Sequence, residues 1–220
     1  MDWKDEGYLL NKTNFTENSI KIDALTLDHG KYTGVVYGGS SKKLKKIFQI
    51  GNKILLNWKS KSENKSGYLN IELIKPVTPL FFDDKKKSIC ILSATSILKL
   101  LLPDRQINKK IYFSFENLIT HFDASNWINL YIYWELSLMK ELGYDVNFLN
   151  ERYTERKKIS LCGKTFEIPK FLFEKEDKIV SDKVIREALI FNKNLFLENI
   201  IIPNRLKIPI SRNILENYYN

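Results

Sequence analysis

Over roughly the first 75 residues, apolar positions recur every second residue. Ser19-Ile20-Lys21-Ile22-Asp23-Ala24 alternates apolar and polar, which puts Ile20, Ile22 and Ala24 on one face of a strand. Lys53 to Lys59 turns Ile54, Leu56 and Trp58 inward, and Tyr68 to Leu73 does the same with Leu69, Ile71 and Leu73. Gly30 to Gly39 is β-rich and bracketed by glycines, and Gly7 to Leu10 completes a set of five short strands. Leu27-Asp28-His29-Gly30 reads as a turn between two of them. Five strands in so short a span predict a small closed barrel, of which the OB-fold is the common five-stranded form. Gly34 suits the sharp bends such a barrel needs.

The period then changes. Pro76-Val77-Thr78-Pro79 is a stiff connector, because two prolines fix φ and remove ladder donors. Beyond it the spacing becomes helical. Ser88 is the expected cap of a run through Leu102, ended by Pro103. Ile111, Phe115, Leu118 and Phe122 form a second stripe. A third comprises Ile128, Ile132, Leu136, Met139 and Leu142, from near Ser125 to Gly143. A later helix over Asp182 to Asn199 carries Ile185, Ala188, Leu189 and Phe196, and Ser211 caps a last one with Ile214, Leu215 and Tyr218. Residues 145–180 are charged and show no regular period. The expected class is α+β: an OB barrel over residues 1–79 and an α-helical domain over residues 80–220.

Charge adds a partner class. The 220 residues hold 35 Lys+Arg against 26 Asp+Glu, a net charge of +9 that favours polyanions, nucleic acid before membrane surfaces. The basic residues are mostly lysine, with Asn and Ile abundant, which mutational bias alone can produce, so distribution informs more than the total. Lys42, Lys43, Lys45, Lys46, Lys53, Lys59, Lys61 and Lys65 face the single acid Glu63 between Gly38 and Asn70, so +7 of the +9 sits in one barrel segment. Lysines bind phosphate as mobile point charges, without sequence preference. Tyr32, Tyr37, Phe48, Trp58 and Tyr68 are interleaved with them, and exposed rings on a barrel stack unpaired bases. Trp58 reads as core, since it shares a face with Ile54 and Leu56. The expected DNA contacts are Lys42, Lys43, Lys45, Lys46, Lys53, Lys59 and Tyr37.

Catalysis finds little support. Two-metal chemistry needs clustered carboxylates, whereas Asp83-Asp84 is a loop pair, and Glu135 and Glu141 lie on an amphipathic helix. Glu135 falls beside the apolar stripe and reads as a buried partner for a cation or cap. Gly38-Gly39-Ser40-Ser41-Lys42 has the wrong spacing for a phosphate loop, and no nucleophile elbow occurs. Cys90 and Cys162 stand far apart, and His29 and His121 join no metal-ligand pattern, so neither a metal nor a cofactor is expected. The acidic opening Met1-Asp2-Trp3-Lys4-Asp5-Glu6 is unlike a signal peptide, and no stretch has the length of a membrane span, which makes a cytoplasmic, nucleoid-associated protein the expectation.

Three sets of residues together form a pattern shared with a known family. The first runs through Asp5-Glu6-Gly7, Glu17-Asn18-Ser19, Leu25-Thr26, His29-Gly30-Lys31 and Gly38-Gly39-Ser40-Ser41-Lys42-Lys43. The second is Trp134-Glu135-Leu136-Ser137-Leu138 continuing to Glu141-Leu142-Gly143-Tyr144, and the third is Ile208-Pro209-Ile210-Ser211-Arg212. Together these sets resemble the bacterial RecO recombination mediators, and the resemblance implies an OB barrel followed by a helical domain. It implies binding of single- and double-stranded DNA, annealing of complementary strands, and loading of RecA with RecR on DNA coated by single-stranded DNA-binding protein (SSB), without hydrolysis. RecF is a further implied partner. Lys42 and Lys43 match basic positions of the family's DNA-contacting turn, while Ser40 stands where arginine is frequent. Many members carry a four-cysteine zinc site near residues 150–170; only Cys162 remains here. Members also often have arginine before the aromatic-Glu pair, where this chain has Tyr133, so Arg105, Lys109, Lys110 and Lys140 are the substitute cations for docking the SSB tail. Two other readings fit the residues alone: an OB-type RNA-binding or translation-associated module, and an adaptor whose helices bind only protein.

Overall fold

The computed structural model describes residues 2–38, 47–59, 67–144, 158–172 and 180–220. The alternating segments form β1 (Asp2–Thr16), β2 (Ser19–Thr26), β3 (Gly30–Tyr37), β4 (Lys53–Lys59) and β5 (Tyr68–Lys75). They close into a barrel in the order β1-β2-β3-β5-β4, the expected OB arrangement. β1 closes it by pairing with β4 from Asp2 to Tyr8 and with β2 from Gly7 onward. All pairings are antiparallel except the β3–β5 seam, where Val35 pairs with Tyr68.

β1 is much longer than the Gly7–Leu10 expectation. Two irregularities in its pairing, at Leu9/Asn11 and Asn14/Thr16, bend it between its two neighbours. Leu9 and Leu10 are consequently both buried, which hides the strand from a period-2 reading. Ile20, Ile22, Ala24, Ile54, Leu56, Trp58, Leu69 and Ile71 share one core with Leu9, Val36 and Phe48. Leu73 departs from expectation. It pairs with core residue Ile54, but the register shifts beside it, where the core ends, and it is 39% exposed. Gly34 answers a need for space more than for a bend: a Cβ there would lie 2.6 Å from Leu69 and 2.9 Å from the Trp58 ring. At Gly67 a Cβ would come within 2.4 Å of the same indole.

A short 3-10 turn, Thr78–Phe81, leads into α1 (Lys85–Leu101). The α1 cap is Asp84, whose carboxylate accepts the Lys87 N–H at 3.0 Å. Ser88, the expected cap, lies inside the first turn and donates to the Phe81 carbonyl. The helix ends where Pro103 requires. The chain divides into compact units Met1–Tyr112 and Phe113–Asn220, so α1 belongs to the barrel's unit. The division falls within α2 (Lys109–Thr120).

In the second unit, Phe115, Leu118 and Phe122 are buried, as are Ile128, Ile132, Leu136 and Met139 of α3 (Trp127–Glu141). α4 (Asp182–Phe196) buries Ile185, Ala188, Leu189 and Phe196 and runs into a π-turn, Leu197–Ile201. α5 (Ile210–Asn217) starts after Pro209, which is its N-cap, so Ser211 lies already inside the helix. The irregular region contains a hairpin that its sequence does not announce, β6 (Lys158–Leu161) and β7 (Lys164–Glu167), turning at Cys162-Gly163 with both residues at positive φ.

Candidate nucleic-acid interface

Residues directly opposite one another in a sheet point to the same face. Lys21 pairs with Val35, Val35 with Tyr68, and Tyr68 with Lys59, giving one row across β2, β3, β5 and β4. Their neighbours Ile20, Ile22, Val36, Leu69 and Trp58 point into the core, so the row faces outward. Tyr37, two residues along β3 from Val35, lies on the same face. Its ring is 72% exposed and stands 6.4 Å from the Tyr68 ring, tilted by 54°. Lys21 and Lys59 are exposed, and among the described residues neither is ion-paired with an acid. OB barrels hold oligonucleotides on the strand 2–3 face and the loops joining strands 1–2 and 4–5. Here the described part of that surface is β2, β3 and the Glu17-Asn18 turn; residues 60–66, between β4 and β5, lie outside the described residues.

The expected DNA-contacting residues divide. Tyr37 and Lys59 come together on this face. Lys53 does not join them. It sits at the opposite end of β4, where its ammonium pairs with Glu6 at 2.8 Å and lies over the Tyr8 ring. Lys42, Lys43, Lys45 and Lys46 lie outside the described residues, as do Lys61 and Lys65. Trp58 and Phe48 are core, and Tyr32 packs edge-on against Trp58. Lys21 escaped the sequence reading because no second basic residue marks it. Its signal was the polar phase of the Ser19–Ala24 alternation.

Three other lysines of the barrel's unit are met by acids. Lys31 pairs with Asp104 at 3.2 Å, Lys109 with Asp28 at 2.7 Å, and Lys99 with Asp23 at 3.6 Å. Buried Asp5 accepts the backbone N–H groups of Glu6 and Asp28 and holds His29 Nδ1 at 2.8 Å. The His29 ring stacks on Trp3, centroids 4.1 Å apart.

The expected partner-docking residues fall in two units. Arg105, Lys109 and Lys110 belong to the first. Arg105 holds its guanidinium over the Tyr32 ring, and Lys109 is tied to Asp28. Tyr133 and Lys140 belong to the second. The Tyr133 hydroxyl donates to the Phe171 carbonyl at 3.1 Å, and burial pushes its pKa above the usual tyrosine value. Lys140 is exposed in the last turn of α3.

Glu135 is a buried partner for a cation, as expected, and the cation is Arg212. Both side chains are fully buried, with Nε to Oε1 at 2.5 Å and Nη2 to Oε2 at 3.1 Å. Tyr131 donates to Oε1 at 2.7 Å and Asn192 to Oε2 at 3.1 Å, while Arg212 Nη2 also donates to the Leu189 carbonyl. Burial opposes the guanidinium charge, but the Glu135 carboxylate, with Tyr131 and Glu216 beside it, more than offsets this and raises the Arg212 pKa. Two of the sequence motifs, Trp134-Glu135 and Pro209 to Arg212, therefore meet in one buried ion pair.

A four-cysteine zinc site does not fit this chain, which has two cysteines. Cys90 is buried in α1, and Cys162 is exposed at the hairpin turn. Among the described residues no three His, Cys, Asp or Glu side chains converge as metal ligands. From the hairpin, the Lys164 ammonium pairs with Glu198 of the π-turn at 2.6 Å.

Comparison with known proteins places these features. The model of the recombination protein O N-terminal domain matches residues 1–77, and that of its C-terminal domain matches residues 83–157. The DNA repair protein RecO of Wolbachia pipientis (strain wPip) is 30% identical over 188 residues, 84% of this chain and 72% of that protein. RecO of Cereibacter sphaeroides (strain ATCC 17029 / ATH 2.4.9) is 31% identical over 148 residues, covering 67% of this chain and 61% of that one. RecO of Roseobacter denitrificans is 29% identical over 145 residues, covering 66% and 60% respectively. The match thus spans about three fifths of the length of the last two relatives.

Proposed function

The chain belongs to the RecO family of DNA repair proteins, and from that premise we propose that it is a non-catalytic mediator of homologous recombination. The barrel over residues 1–79 binds single- and double-stranded DNA through backbone phosphates and anneals complementary strands. Residues 80–220 form the partner-binding part, which engages RecR and the SSB tail so that RecA is loaded onto SSB-coated single strands, with RecF as an additional partner. A cytoplasmic, nucleoid-associated location follows from that role. No helix of the described residues is long and apolar enough to cross a membrane.

The observation that carries the reading is the outward row from Lys21 to Lys59, with cations at its ends that pair with no acid among the described residues and an exposed tyrosine between them. Such a surface suits the phosphates of a polyanion, which cationic side chains hold without reading sequence. The test is strand annealing by a variant with Lys42, Lys43, Lys45 and Lys46 changed to Glu, alongside K21E/K59E. Both fold, and both lose annealing and mobility-shift activity. Affinity falls with salt with a log–log slope of several units, close to 0.7–0.9 per phosphate contacted. A flat salt response, or annealing retained by folded variants, overturns the assignment. A parallel titration with RNA of the same sequence separates this function from an RNA-binding module, which would prefer RNA.

A further inference from the structure

We propose that Tyr37 and Tyr68 form a base-stacking platform through which the barrel distinguishes unpaired from paired DNA. The inference rests on the reading of this face as the DNA-binding surface and assigns its strand-state specificity to two residues. Most other rings of the barrel have structural work. Trp58 and Phe48 are in the core, Trp3 and Tyr32 pack against it, and Tyr8 is buried. Tyr37 and Tyr68, by contrast, are 72% and 42% exposed on the outer face, where an aromatic side chain forfeits burial. At 6.4 Å and 54° the two rings are tilted and not stacked on each other, and both keep surface open to solvent.

Their setting is that of a ligand site. The row Lys21–Val35–Tyr68–Lys59 spans three strand spacings, about 14 Å, with a cation at each end and the rings between. A single strand laid along it neutralises phosphates at the lysines and turns its free bases onto the tyrosines. A duplex offers the same phosphates, but its base faces are already stacked, and exposing one costs unpairing. The lysines therefore act on both forms of DNA and the rings on one.

The experiment measures binding of three probes to the full chain at one salt concentration: a single strand, a blunt duplex of equal length, and a single strand of abasic residues. The proteins are the wild type, Y37A/Y68A, Y37F/Y68F and K21E/K59E. Melting temperatures confirm folding, since both tyrosines are exposed. Y37A/Y68A is expected to weaken single-strand binding about ten-fold or more per ring while duplex binding stays within about two-fold. Y37F/Y68F retains wild-type binding, because stacking does not need the hydroxyl. The abasic strand binds wild type and Y37A/Y68A alike. Equal losses on single strand and duplex, a phenylalanine variant as weak as the alanine one, or no loss at all overturns the platform. If K21E/K59E weakens both forms while the rings stay silent, the DNA-binding face stands and the platform falls. If the wild type binds neither form, the DNA reading itself fails.

Discussion

Replacing Arg212 with methionine removes the cation and keeps a side chain of comparable reach. Glu135 then remains wholly buried, with only the Tyr131 hydroxyl and the Asn192 amide donating to it. The Leu189 carbonyl loses the donor it had in Nη2. An uncompensated buried carboxylate of this kind costs about 3–5 kcal/mol. Removing both charges, as in E135L/R212M, spares that cost and leaves the Tyr131 hydroxyl and the Leu189 carbonyl without these partners, at about 1–3 kcal/mol for each group left unsatisfied. Asn192 keeps its bond to the Ile132 carbonyl. The double variant is thus expected to be more stable than R212M, with a coupling of at least about 2 kcal/mol across the cycle. Hydrogen exchange of peptides from α3, α4 and α5 reads the second unit directly. A loss of 3–5 kcal/mol appears as exchange about 150- to 5,000-fold faster. An additive cycle, or R212M exchanging like the wild type, refutes the reasoning.

Three other outcomes follow from the geometry. Gly34→Ala forces a methyl group against Leu69 and Trp58 and should cost about 1–3 kcal/mol, read as a lower melting temperature of the barrel's unit. Tyr133 has a folded pKa raised by burial, so the folded state holds its proton longer than the unfolded chain. Its contribution to stability is complete below the ordinary tyrosine pKa of about 10 and is lost as pH rises through the folded value. Denaturation of Tyr133→Phe above that pH should be less steep than that of the wild type, and identical alkaline slopes would refute this. Lys164→Met should speed exchange in β6 and β7 by about five-fold at most, the scale of an ion pair whose cation is largely exposed, whereas EDTA should leave the hairpin's protection unchanged.

Strands whose alternation is uninterrupted, such as β2 and β4, were legible to the individual inward residue, and so were the stripes of α2 and α3. Legibility failed where tertiary partners decide. Lys53 resembles its neighbouring lysines until the β1–β4 register brings it to Glu6. β6 and β7 have four residues each and mostly exposed side chains, so the Cys162-Gly163 turn was their one local mark. Asp84 outranked Ser88 as a cap because the 3-10 turn ending at Phe81 lets the helix begin at Lys85, which puts the cap four residues before the expected one. The interface was half visible. Tyr37 and Lys59 stand in a lysine-rich segment, but Lys21 joins them only through the β2–β3 pairing.

The Glu135–Arg212 pair also sets a timetable for synthesis. Its members are 77 residues apart, and at ribosomal rates of about 5–20 residues per second the carboxylate waits roughly 4–15 s for its cation. Through that interval α3 has no completed site in which to bury its charge. The nascent second unit must stay open to water or to a chaperone, while the barrel's strands, all encoded upstream, are free to close during translation.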